Sequence, residues 1–373
     1  DVDLLTWLRE RIWPYESNLT EEDSYISTLL LGIEQIRSGV TCFAEAGGQH
    51  VNGMARGIGE LGMRSVLCKS TMDMGEGLPE TWVQTTDQAL ESQLELFEKW
   101  HHKANGRLRV WFGLRTIFNN SDELIIRSKN LADQHGVGVH MHIAEIREEN
   151  EFTLATRGAR TVTHLNNLGV LDKNFLAVHT VWMSDKEVQM FADNDVKVSH
   201  NPAAAMKVLG FAKIPEMVDA GVCVTIGTDG APANNRMTLI DDLWLASLIH
   251  KARTLDPTTL PAELMLPMVT SNAAKALMWE DIGSLEEGNK ADLVVINPNS
   301  ATMLPMHDPA ANMVSSLRSD NVESVMVDGS WLMWEREILT VNEAEILQEA
   351  KVRAAQIAER AGVHLPPRFN IIN

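Results

Sequence analysis

Short apolar runs that could each fill one buried strand begin near Val40, Arg64, Leu108, Val137, Phe175, Val196 and Val222. Their six intervals cover 182 residues, about 30 per repeat, which is the period of a (β/α)8 barrel built from roughly 250 residues. Stretches with helical periodicity and polar faces lie between them, at 21–37, 85–101, 122–134 and 238–253, as a series of parallel βαβ units requires. Seven strands can be read in this way.

Several runs close on a residue that an apolar strand would not otherwise tolerate. His142-Ile-Ala-Glu145 ends one, and His179, His200 and Asp229 end others. Parallel strands bring such ends together at one mouth of a barrel, where imidazoles and carboxylates can assemble a metal site. His140 and His142 alternate along one strand and face the same way. Glu145 falls in the loop beyond the strand, within reach of a water to be activated and of a departing amine. The neighbouring acids Glu148, Glu149 and Glu151 read as solvated loop residues. His179 suits polarising the group under attack, Asp229 suits metal ligation or proton abstraction, and His200 suits contact with substrate. Asn201, before a proline, is expected in an extended turn. Asn234 and Asn235 either hold the following loop or touch substrate.

At 373 residues and 45% hydrophobic content the chain exceeds one barrel by roughly a hundred residues. The surplus is mostly C-terminal: the residues around Gly329 read as a hairpin, and 342–361 as a surface helix. The expected architecture is α/β, with a TIM-type barrel over 1–280, a small β-sandwich element over 281–340, and a helix and tail over 341–373. A formal charge of −19 repels nucleic acid and anionic membranes, which favours a small-molecule substrate. No apolar run reaches the roughly 20 residues that span a bilayer. The three cysteines, Cys42, Cys68 and Cys223, are too few and too widely spaced for a disulfide framework, so a cytoplasmic setting is expected. Acceptor patterns at Asn18 and Asn119 are read as accidental.

Together these motifs resemble the amidohydrolase superfamily, in its branch of 5-methylthioadenosine/S-adenosylhomocysteine deaminases and triazine chlorohydrolases. The resemblance rests on Ile12-Trp-Pro-Tyr-Glu16, Leu19-Thr-Glu-Glu-Asp23, Ser38-Gly-Val-Thr-Cys-Phe43, His142-Ile-Ala-Glu145, His179, Ser199-His-Asn-Pro202, Gly227-Thr-Asp-Gly230 with Asn234-Asn235, and Gly283-Ser-Leu-Glu-Glu-Gly-Asn-Lys-Ala-Asp292. It implies His142 and Asp229 as metal ligands, Glu145 as proton shuttle and substrate contact, His179 as the polarising group, and Glu16 as a further substrate contact. The implied cofactor is Zn2+, with Fe2+ or another divalent metal as alternatives, and the implied assembly is a homo-oligomer. The implied reaction is hydrolytic deamination of a nucleoside-like or heteroaromatic amine. Triazine-type dechlorination and amide hydrolysis are the enzymatic alternatives.

Two departures accompany the resemblance. The family's first barrel strand ends in a His-x-His pair of metal ligands, and this sequence begins after that point, so a barrel of strands 2 to 8 and an incomplete, non-catalytic fragment are also expectations. The stretch Phe112-Gly-Leu-Arg-Thr-Ile-Phe118 puts Arg115 where adenosine-type deaminases carry a histidine, and Ala233 stands in place of a serine. Arg115 is accordingly a substrate-binding candidate, able to fork onto a carboxylate or phosphate.

Overall fold

The structure is a computed structural model and describes residues 2–363. Eight short strands form two parallel sheets. β1 (Cys42–Glu45), β2 (Arg64–Leu67) and β3 (Leu108–Val110) make one; β4 (Phe112–Leu114), β5 (Val139–Ile143), β6 (Phe175–His179), β7 (Lys197–His200) and β8 (Cys223–Ile226) make the other in sequential order. β3 and β4 are halves of one run interrupted at Trp111. The first half pairs with β2 and the second with β5, so the two sheets continue one another as seven consecutive strand positions. This is the (β/α) arrangement of a TIM-type barrel, and the seven runs read from the sequence are its seven positions. Among the described residues β1 and β8 are not paired.

Helices cover the outside. The helix Glu21–Arg37 starts at a capping box in which Thr20 and Asp23 exchange side-chain-to-backbone hydrogen bonds, which satisfies two otherwise orphaned amides. Asp185–Asp193 starts in the same way at Ser184 and Glu187. The buried face of Glu21–Arg37 packs chiefly on the helix Val51–Leu61, within the core that also takes in apolar residues of β2 and β3. One core fills the space around β4–β8. A second lies between β1–β3, the helices Glu21–Arg37 and Val51–Leu61, and the C-terminal sheet. No helix among the described residues is long and apolar enough to cross a membrane.

The C-terminal element is an antiparallel sheet of β9 (Leu293–Ile296), β10 (Val322–Val327), β11 (Ser330–Trp334) and β12 (Glu337–Ile338), in the order β12-β11-β10-β9. The hairpin between β10 and β11 turns on Asp328 and Gly329, with φ of 51° and 78°, the left-handed pair that a tight hairpin needs. The helix Glu343–Arg360 then packs against Glu21–Arg37, where Arg353 and Arg360 both bind the capping residue Asp23. The tail expected beyond it lies outside the described residues.

Arg64 joins the barrel to this sheet. Its side chain is 2% exposed, and it donates from Nε to Asp292 at 2.5 Å and from Nη2 to Asp292 at 2.9 Å and Asp328 at 3.1 Å. Asp292 also accepts from the Asp328 amide at 2.8 Å, so one buried carboxylate fixes both the guanidinium and the hairpin turn. Removing one partner of a buried pair strands the other charge, at a cost of about 3–5 kcal/mol. Arg64→Ala is expected to lower stability by about that amount, read as a fall in the urea midpoint, whereas removing the exposed partner of Arg56, Glu22, changes it by less than about 1 kcal/mol.

Candidate active site

The ends of β5, β6 and β8 converge on one cavity of about 980 Å³, lined among others by Glu16, Glu45, Arg115, His140, His142, Glu145, His179 and Asp229. At each of these ends the backbone turns through the left-handed region, with φ of 50° at Ala144, 72° at His179, 52° at Thr180 and 59° at Asp229. Residues other than glycine adopt that conformation at a cost of order 1–3 kcal/mol, and such strain gathers at functional sites.

His179 lies at the centre. Its Nε2 is 3.5 Å from a carboxylate oxygen of Glu145 and 4.0 Å from one of Asp229. Its Nδ1 faces the Asn201 amide nitrogen at 3.4 Å, and the Asn201 oxygen is itself held by the Ser199 hydroxyl at 3.1 Å. With that amide donating to Nδ1, the ring carries its proton on Nε2, directed at the two carboxylates.

His142 is set the other way round. Its Nδ1 is 2.9 Å from the Arg115 carbonyl oxygen and donates to it, which leaves the Nε2 lone pair available. A backbone carbonyl behind the ring is a usual orienting partner for a metal-binding imidazole. Burial holds the His142 pKa well below its ordinary value, and the nearby Arg115 guanidinium adds to this, so the ring stays neutral as ligation demands. His140, whose Nδ1 is buried without a partner among the described residues, is pushed down to about 4 by burial.

The carboxylates respond to burial in the opposite direction. Glu145 is 8% exposed, and burial raises its pKa against the opposing effect of His179. Burial likewise raises Glu16, against Arg115, and Glu45, against the amide of Gly47 donating at 3.1 Å. A carboxylate with a raised pKa is a stronger base, suited to take a proton from water and pass it on.

The donor chemistry fits a borderline divalent metal in part. His142 Nε2 and the Asp229 carboxylate face the same cavity, and imidazole with carboxylate is a zinc-type donor set. Among the described residues no group of three or more such side chains is arranged to hold an ion.

Of the residues singled out in the sequence, His142, Glu145, His179, Asp229, Glu16 and Arg115 are brought together. His200 is placed elsewhere. It is 1% exposed, and its Nε2 pairs with His250 Nε2 at 3.1 Å behind the sheet, where one ring donates and the other accepts. Sequence reasoning missed Glu45, although it closes β1 as Asp229 closes the last strand, so the same signal could have found it. It also misread Glu149, which is 1% exposed rather than solvated. Asp242 carried no sequence signal. It accepts from the Ala203 amide at 3.1 Å and from Asn234 at 2.8 Å, and Asn234 also holds the Thr228 carbonyl at 2.8 Å, thereby bracing the loop that presents Asp229.

The amidohydrolase family profile matches residues 2–332. The chain is 35% identical over 362 residues to the 5′-deoxyadenosine deaminase of Methanobrevibacter smithii, covering 96% of this chain and 82% of that one. It is 36% identical over 360 residues to the 5-methylthioadenosine/S-adenosylhomocysteine deaminase of Syntrophomonas wolfei, covering 96% and 81%. A solved adenosine deaminase from Xanthomonas campestris with bound zinc superposes with a TM-score of 0.91 at 27% identity, over 96% of this chain and 81% of that one.

Burial pushes the Asp242 carboxyl up to about 7, against its two hydrogen bonds. The folded state therefore keeps this proton up to about pH 7, whereas the unfolded chain loses it near the ordinary value of 3.8, so this group favours folding as pH falls from 7 towards 3.8. The stability of the wild type relative to Asp242→Asn, measured by urea denaturation, is expected to be greater at pH 5 than at pH 8.

Proposed function

This chain belongs to the amidohydrolase family, and from that premise we propose that it is a metal-dependent hydrolase that releases ammonia from a nucleoside-like amine. The observation that carries the reading is the convergence of Glu145, His179 and Asp229, with His179 Nε2 within 4.0 Å of both carboxylates. The deaminase relatives support the reaction class, and the zinc in the structural neighbour supports a divalent metal.

His142 and Asp229 would contribute to holding that metal, whose chemistry is Lewis acidity towards water and towards charge developing on the substrate. The remaining work falls to the chain's own side chains. Glu145 takes a proton from the attacking water as its oxygen bonds to the ring carbon. The displaced C=N electron pair moves onto the neighbouring ring nitrogen, and the His179 Nε2–H donates to the attacking oxygen, holding it over the ring carbon. Glu145 then delivers its proton to the exocyclic nitrogen, the C–N bond breaks, and ammonia leaves. The carboxylate ends as it began. Asp229 offers a second acceptor for the water's protons, and Glu16 and Arg115 hold polar groups on the far part of the substrate.

In this reading residues 1–280 carry the chemistry, 281–340 brace the barrel, and 341–373 form the C-terminal helix and tail. A cytoplasmic, homo-oligomeric enzyme completes the proposal.

The test is ammonia release from 5′-deoxyadenosine and 5-methylthioadenosine by zinc-loaded protein. Glu145→Gln is expected to lower kcat by roughly 10²–10⁴-fold, the usual contribution of a positioned acid-base group, with thermal unfolding unchanged. His142→Ala is expected to lower the zinc retained after dialysis, measured by elemental analysis. A Glu145→Gln protein with undiminished turnover would sink the mechanism.

A further inference from the structure

We propose that Glu149 is a positioning residue, which clamps the turn presenting Glu145 to the cavity. The inference rests on the role given to Glu145 above. β5 ends at Ile143, and the next residue, Ala144, sits at φ 50°, a conformation that an alanine does not hold unaided. That turn directs two successive amides to the same side, and one carboxylate accepts both: the Ala144 N–H meets Oε1 of Glu149 at 2.7 Å, and the Glu145 N–H meets Oε2 at 2.9 Å.

The clamp is itself anchored. Glu149 lies in the first turn of the helix Arg147–Arg157, where the helix dipole favours negative charge. Its own carbonyl accepts from the Thr153 hydroxyl. The next residue, Asn150, donates to the Trp182 carbonyl at 3.0 Å, and the Trp182 amide returns to the Ala144 carbonyl at 2.8 Å. The loop that carries Glu145 and the loop that follows His179 are thus tied into one hydrogen-bonded unit, with Glu149 at its inner corner.

Glu149 does not line the cavity and touches no reacting group, so its effect runs through the backbone of Glu145. A buried carboxylate is costly to keep unless its oxygens are satisfied. Here burial raises the proton affinity of the acid, and the two amide hydrogen bonds act against that rise and favour the carboxylate. It spends both oxygens on the two residues whose placement decides where the Glu145 carboxylate lies.

Glu149→Gln keeps the size but offers one acceptor where two are needed, so one buried N–H is left without a partner. In this variant, amide hydrogen exchange at residues 144 and 145 is expected to rise roughly 10- to 100-fold, the cost of one unmade buried bond, while exchange in β6 is unchanged. Ammonia release should lose kcat by a similar factor with KM within about threefold, because substrate binding is untouched. Glu149→Asp should recover part of both. Unchanged exchange at 144 and 145 in a folded variant overturns the proposal. So does a kcat loss matched by an equal loss of folded protein. If Glu149→Gln does not fold, the same two readouts on Glu149→Asp decide, and wild-type values there overturn it. A wild-type protein that deaminates nothing would defeat the reading of function, and the exchange measurement would still decide whether Glu149 holds the turn.

Discussion

In-register parallel pairing is the constraint on which the site depends. Ile143 lies opposite His179, and His200 opposite Ile226, so the strands end at nearly the same height. Each return to a parallel strand needs a crossover, and the crossovers here are helical, which puts every strand's C-terminal end on one side. Polar residues placed one or two positions beyond an apolar run therefore meet without any further instruction. The left-handed turns at Ala144, His179 and Asp229 then bend the chain sharply enough for side chains from three strands to face the same few ångströms.

Burial sorts the groups gathered there by chemistry. It keeps His140 and His142 neutral and raises the proton affinity of Glu16, Glu45 and Glu145. A neutral imidazole can offer a lone pair, and a carboxylate with a raised pKa is a stronger base towards a water proton. One physical effect thus prepares ligands and acid-base groups together. Orientation comes from the backbone and from amides: the Arg115 carbonyl fixes one histidine tautomer and Asn201 fixes the opposite one.

Much of this was legible in the sequence because apolar runs of strand length recur at barrel spacing, and because a histidine or carboxylate closing such a run is costly unless used. That rule singled out His142, His179 and Asp229, which the fold brings to one cavity. His200, singled out by the same rule, lies outside that cavity, since its burial is satisfied by His250 from a helix whose facing side is set by tertiary packing. Glu149 was hidden within a run of acids that all look solvated. Its burial depends on the turn at Ala144, and nothing in the residue order announces that turn. Nor does the pattern reveal that the run from Leu108 to Leu114 serves two sheets in succession, because the break at Trp111 lies in the backbone and leaves the apolar character unbroken.

The capping residue Asp23 has a consequence for how the chain matures. Its carboxylate starts the helix Glu21–Arg37 and also receives Arg353 and Arg360 from the C-terminal helix. Two residues of the same N-terminal helix, Leu31 and Gln35, form part of the cavity wall. During synthesis this buried acid waits, without its cationic partners, until more than 300 further residues have been added. The part of the cavity wall formed by Leu31 and Gln35 therefore belongs to a helix whose cap gains its two cationic partners only when the final helix docks.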